Sequence, residues 1–253
     1  MKEYRAEDIR NIAIAGHSGS GKTTLAEALI YKAGASDRLG KTAEGTTVCD
    51  YDPEEIRRKA SLGASVASFE YNGLKLNLLD APGLFDFEAD MLEAVRAADT
   101  VMITVSGKSG VKVGTEKAYK AARKAGKATM FVITKVDDPD ANFYNVLTDL
   151  KTVFGPTVCP VIVPVIKDRQ VVSYVNLIEM KCYKYDENGN VSETDMPTAE
   201  ISEKMEYRME GLVAAFSEAV AETDDALMEK FFEGEAFTRK ELVKGRHDGM
   251  NRG

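Results

Sequence analysis

The residues most able to do chemistry sit together near the start of the chain, in Gly16-His17-Ser18-Gly19-Ser20-Gly21-Lys22-Thr23, followed by Thr24. This G-x-x-x-x-G-K-T spacing is that of a phosphate-binding loop. Its glycines let the backbone turn with positive φ and bring N–H groups onto a phosphate chain with no side chain in the way. Lys22 has the reach and charge to meet β- and γ-phosphate oxygens, and the Thr23 hydroxyl suits magnesium. A glycine turn before an ordinary helix is the bland alternative. Against it, the apolar run 12–15 predicts a strand ending in the loop, and 24–30 predicts a helix whose N-terminal end favours an anion.

Two further motifs stand at predicted strand ends. Asp80-Ala81-Pro82-Gly83 follows an apolar run. With its order relative to Lys22, Asp80 is expected to hold a magnesium ion through a water, and the Gly83 N–H to meet a γ-phosphate and so sense its presence. Thr134-Lys135-Val136-Asp137 closes a later run. A carboxylate at Asp137 can accept from both N1–H and the exocyclic amine of guanine, a pair adenine does not offer, while the Lys135 stem packs over the base. Thr134 stands where the N-K-x-D form of this motif has asparagine. A lysine and an aspartate at an exposed strand end is the alternative reading.

The elements that must position these motifs alternate. Residues 65–71 and 74–79 predict two strands joined by Asn72-Gly73, a strong short hairpin signal. Residues 91–98 predict a helix, 100–105 a β-branched buried strand, 112–125 a helix and 128–134 another buried strand. Strands alternating with helices imply a mostly parallel, doubly wound α/β sheet, whose ligands bind beyond the carboxyl ends of the strands, where all three motifs fall. Between them, 34–64 loses periodicity and reads as a long irregular segment, usually functional or disordered. It contains the acidic cluster 50–55 and ends in Arg57-Arg58-Lys59-Ala60-Ser61. Later come β-type runs at 161–166, 171–175 and 180–185, a turn at 186–189 and Pro197. A helix over 206–221 and an acidic stretch, 217–235, follow, the latter read as a solvated helix face.

At 253 residues and 44% hydrophobic residues the chain can bury a full core, and no apolar run is long enough to span a membrane. The charged N-terminus has no secretory pattern, so a cytoplasmic location is expected. The three cysteines, Cys49, Cys159 and Cys182, lack metal-site spacing, and the two histidines lie at opposite ends. A net charge of −8 argues against a broad or sequence-specific nucleic-acid surface. A monomer without membrane contact is expected.

With these motifs in order, the whole chain resembles the N-terminal GTP-binding part of elongation factor G, in particular the bacterial elongation-factor-G-like translational GTPases. The resemblance includes 50–55, Ala141-Asn142-Phe143 and 229–235. It implies a P-loop GTPase domain, 1–156 with 206–253, carrying an inserted α+β lobe at 157–205. It also implies GTP and GDP as ligands, magnesium as cofactor and the ribosome as partner of the full-length protein. Phosphate and base contacts would come from Gly16, His17, Ser18, Gly19, Ser20, Gly21, Lys22, Thr23, Thr24, Asp80, Gly83, Thr134, Lys135 and Asp137, and magnesium ligation from Thr23, Ser61 and, through water, Asp80. Lys22 and Gly83 would act in catalysis.

The chain departs from that family's pattern at four points. Ser61 stands for the magnesium-binding threonine and lacks its rotamer-fixing methyl. Leu84 stands where a histidine positions the attacking water, and leucine can neither donate nor accept a hydrogen bond, so hydrolysis is slow or another group substitutes. Thr134 replaces asparagine. Last, the sequence stops at Gly253 ahead of a final strand and S-A-x loop, and its tail reads as a truncation or an altered reading frame. GTP hydrolysis is the expected activity. A GTP-binding regulatory module with little turnover, and a P-loop kinase of small molecules, are the rival readings.

Overall fold

The computed structural model describes residues 3–186, 189–197 and 208–252. The chain folds into two compact units divided between Lys135 and Val136.

The first unit is a five-stranded sheet ordered β2-β3-β1-β4-β5, from β1 (Ile9–Gly16), β2 (Ser65–Tyr71), β3 (Leu74–Asp80), β4 (Thr100–Ser106) and β5 (Ala128–Thr134). β1 pairs parallel with β3 and β4, and β4 with β5; only the β2–β3 hairpin is antiparallel. Asn72 and Gly73 turn that hairpin with positive φ of 49° and 82°, the conformation two-residue hairpin loops require. The central strands are apolar on both faces because both are covered. On one face Ala13, Ala15, Val101 and Ile103 pack with Met91 and Val95 of α3 (Glu88–Ala97) and Ala118 and Ala122 of α4 (Val113–Lys124). On the other, Ile14, Phe69 and Leu78 pack with Ala26 and Ile30 of α1 (Lys22–Lys32). This is the mostly parallel α/β sheet the strand–helix alternation implied.

The segment expected to be irregular holds a helix, α2 (Pro53–Arg58). Asp52 caps it by accepting from Glu54 N at 2.7 Å, Pro53 fills its first turn and the Glu55 carboxylate accepts from Asp52 N at 3.2 Å. That is a complete capping box, and its signature, Asp-Pro-Glu-Glu, is present in the sequence.

The second unit begins with α5 (Phe143–Phe154), capped by Asn142, and continues into a four-stranded antiparallel sheet of β6 (Ile162–Lys167), β7 (Gln170–Asn176), β8 (Lys181–Tyr185) and β9 (Val191–Thr194). The expected turn at 186–189 lies partly outside the described residues, as do the 198–205 end of the expected lobe and the 206–207 start of the next helix. Helices α6 (Met209–Ala221), α7 (Asp225–Phe232) and α8 (Arg239–Arg252) complete the unit. Phe216 and Val220 of α6 share a cluster with Ile178, Leu227, Val161 and Leu242. The acidic stretch is therefore split: α7 buries Leu227 and exposes its acids. Of the tail, residues 247–252 are helical within α8.

Candidate functional site

The phosphate loop of the first unit hangs between β1 and α1, and its shape follows from what surrounds Gly16. A Cβ there would stand 2.6 Å from the Thr104 carbonyl oxygen and 2.8 Å from its hydroxyl, at a φ of 141°. Only glycine lets β1 pass so close to β4 while turning into the loop. Thr104 then shares a 2.6 Å hydrogen bond with Ser20, whose hydroxyl also donates to the His17 carbonyl at 2.7 Å. Gly21, left-handed at φ 91°, leads into the first turn of α1. Gly19 and Thr24 lie exposed at the loop and on that turn.

Lys22 points into this loop, and its Nζ donates to the His17 carbonyl at 3.1 Å. The residue is only 6% exposed. Burial holds its ammonium below the usual lysine range, opposed by the charges of Asp80 and Asp50. A buried cation held by one backbone carbonyl is a site for an anion of compensating charge. Gly83 crosses directly over it: a Cβ on Gly83 would collide with the Lys22 ammonium and approach Ser18 N to 2.8 Å.

Beside Lys22 lies a cluster of oxygens. Asp80, at the end of β3, is fully buried, and neither of its carboxylate oxygens has a hydrogen-bond partner. Burial pushes its carboxyl up to about 7, against the pull of the nearby Thr23 hydroxyl and Lys22 ammonium. Thr23 and Ser61 hydroxyls stand 3.2 Å apart, and Ser61 donates to Asp50 Oδ1 at 2.7 Å. Asp50 Oδ2 is buried without a partner, and burial raises the Asp50 carboxyl as well. Two carboxylates with unpartnered oxygens and two hydroxyls form a hard oxygen donor set, which suits a divalent cation such as magnesium.

Asp50 is not among the site residues expected from sequence, where its cluster reads only as loop. Two other buried carboxylates hold that loop in place. Glu27, one turn after Thr23 on α1, accepts from Val48 N at 2.6 Å and Cys49 N at 3.4 Å. Glu55 accepts from Leu62 N at 2.9 Å and Gly63 N at 3.2 Å, which fixes the backbone just after Ser61. A glutamate inside the apolar Leu-Ala-Glu-Ala-Leu run of α1 was the available signal.

Thr134 and Lys135 are brought to the loop. Thr134 donates to the Ser20 carbonyl at 2.6 Å, and Lys135, with φ 54°, donates from Nζ to the Gly19 carbonyl at 2.8 Å. Thr134 thus fastens the end of β5 to the phosphate loop with a hydroxyl. Asp137 belongs to the second unit, where it is exposed and lines a cavity of about 350 Å³ with Gln170, Ser173, Tyr174 and Tyr185. Leu84 begins the short 3₁₀ turn Phe85–Phe87 and, with Pro82, Gly83 and Phe85, lines a small cavity against α3 and α4.

Residues 7–230 match the elongation factor Tu GTP binding domain family. The chain is 34% identical over 245 residues to an elongation factor G-like protein of Mycobacterium tuberculosis (strain CDC 1551 / Oshkosh), covering 97% of this chain and 33% of the relative. It is 31% identical over 247 residues to an elongation factor G-like protein of Thermotoga maritima, covering 98% of this chain and 34% of the relative. A crystal structure from Thermus thermophilus superposes with a TM-score of 0.85 at 39% identity, over 97% of this chain and 36% of that one. The chain spans about a third of the length of these relatives. It belongs to the elongation factor Tu GTP-binding domain family, and its fold is that of a translational GTPase G domain.

Proposed function

We propose that this chain binds magnesium and GTP and hydrolyses GTP to GDP and phosphate, in a step coupled to the ribosome in the full-length context. The observation that carries the reading is a buried Lys22 near a buried Asp80 whose carboxylate oxygens have no hydrogen-bond partner, beside a glycine-rich loop. Backbone amides of 16–24 and the Lys22 ammonium would take the β- and γ-phosphate oxygens, with Gly83 N–H facing the γ-phosphate. Thr23, Ser61 and, through water, Asp80 would hold magnesium, which neutralises charge on the transferring phosphoryl group. Glu27 and Glu55 act earlier, by ordering the backbone that carries Asp50 and Ser61. Thr134 and Lys135 brace the loop from β5, and Asp137 would read guanine.

The insertion of a lobe at 157–205 into a GTP-binding part of 1–156 and 206–253 is part of this proposal, supported by the separate antiparallel sheet β6–β9. A second reading, a GTP-responsive module with little turnover, is favoured by one observation, the apolar Leu84 directly after Gly83.

Lys22→Ala tests the proposal, because a phosphate chain left without its buried cation loses several kcal/mol. Calorimetry is expected to detect no GDP binding to that variant. Affinity equal to the parent's would overturn the assignment.

A further inference from the structure

Attack on a γ-phosphate needs a group that fixes the water, and position 84 cannot supply one. An imidazole nevertheless stands beside this segment. The His17 ring meets Phe85, the residue after Leu84, with centroids 5.9 Å apart and planes tilted by 51°. Its own carbonyl accepts from Lys22 Nζ at 3.1 Å, so the ring and the acceptor of the phosphate-binding ammonium belong to one residue. On its far side His17 is pressed against the first turn of α4: a Cβ on Gly114 would lie 2.8 Å from Nδ1 and 2.7 Å from the His17 Cα. Nδ1 is buried there without a hydrogen-bond partner.

That placement decides the tautomer. A buried Nδ1–H facing Gly114 would be an unsatisfied donor, costing about 1–3 kcal/mol, so the proton belongs on Nε2, which is left as the donor. Burial first, and then the charges of Lys22 and Lys112, hold the imidazole below the usual histidine range, which keeps it neutral. The Phe85 ring it packs against is itself pinned, with the Lys117 ammonium 4.9 Å from the ring centroid and Lys117 paired with Glu88 at 2.7 Å.

We propose that the His17 imidazole orients the attacking water for GTP hydrolysis, doing from the phosphate loop what the side chain at position 84 cannot. The Nε2–H donates a hydrogen bond to the water oxygen and fixes its place. The water oxygen bonds to the γ-phosphorus as the bond from that phosphorus to the β–γ bridging oxygen breaks, and the proton ends on the inorganic phosphate, leaving GDP. This rests on the hydrolytic reading above, and the two can fail separately.

The test compares His17→Phe with His17→Gln in the 253-residue chain, by single-turnover hydrolysis of γ-labelled GTP with magnesium, alongside the affinity for a fluorescent GDP analogue. Phenylalanine keeps an aromatic ring against Phe85 but has no nitrogen; glutamine loses the ring but can still donate to the water through its amide. With GDP affinity at the parent's level, His17→Phe is expected to slow hydrolysis by about 10²-fold or more, the usual worth of such a group, and His17→Gln by less. A role confined to packing gives the reverse order and overturns the proposal, as does His17→Phe at the parental rate. A parent that binds GTP yet hydrolyses it no faster than solution overturns this proposal and the hydrolytic reading together while sparing the binding site; a parent that binds no GTP overturns the site itself.

Discussion

Leu84 and His17 make a pair of alternatives for one task, and each predicts something about the other. Leu84→His places an imidazole directly after Gly83, so it is expected to raise single-turnover hydrolysis, most of all in the His17→Phe chain, where groups of this kind contribute about 10²- to 10⁴-fold. No change in either background, with GTP binding intact, would show that position 84 does not face the reacting phosphate. Asp137 carries an independent prediction. A site that accepts two donors rejects bases lacking them, so Asp137→Asn is expected to move preference from GTP toward XTP, whose 2-oxo group accepts where guanine donates; competition with a labelled guanine nucleotide measures it. Unaltered preference would remove Asp137 from base reading. At this scale the sequence singled out residues that the structure brings together where type and spacing encode chemistry, as in Gly16, Lys22 and Asp80. It was silent on Asp50, whose importance comes from Ser61 eleven residues away and Asp80 thirty away. For Thr134 it showed a departure, and the reason lies 114 residues back, in the Ser20 carbonyl its hydroxyl reaches at 2.6 Å.

Elements with their own local signal were readable: the Asn72-Gly73 hairpin, the β-branched run of β4, and the strand–loop–helix of β1 and α1. Those stabilised by distant partners were not. The segment 34–64 has no hydrophobic period because its order comes from buried carboxylates accepting backbone N–H groups, a pattern that leaves no apolar stripe. α2 did announce itself through Asp52-Pro53-Glu54-Glu55, a start signal easily passed over in a helix of only six residues. The same helix supplies the next prediction. Glu55→Ala removes the acceptor shared by Leu62, Gly63 and Asp52 amides, all part-buried, and a donor left unsatisfied costs at most about 1–3 kcal/mol, less where water reaches it. The loss should be local, so amide exchange at 62–63 is expected to quicken by tenfold or more while the strands of the five-stranded sheet keep their protection. Exchange at 62–63 equal to the parent's would mean that Glu55 does not hold the Ser61 backbone.

For the molecule as a whole, the site is a source of instability until its ligands arrive. Asp80 is fully buried with both oxygens unpartnered, and its carboxyl sits at about 7. The folded chain therefore holds that proton to higher pH than the unfolded chain, where an aspartate titrates near 4. Below about pH 4 the group costs nothing on this account; as pH rises from about 4 to about 7 stability is lost, by on the order of 4 kcal/mol at most, and above that the cost is constant. Asp80→Asn carries no such charge, so the nucleotide-free variant is expected to melt higher than the parent at pH 8, with the gap closing toward pH 4. Only the difference between the two chains isolates the effect, because Asp50 titrates in the same sense and Glu241, held at about 2 by its hydrogen bonds to Thr238, titrates in the opposite one. Magnesium and GDP should then reverse the order. Ligand at a hundred times its dissociation constant stabilises by about 2.7 kcal/mol, and the parent, whose carboxylate gains a cation, should respond to magnesium more than the variant does. Thermal melts of both chains across pH 4–8, with magnesium and GDP or with EDTA, measure all of this. Parallel pH curves would show that Asp80 is not a buried, unpartnered carboxylate, and an equal magnesium response in the two chains would remove it from the cation site.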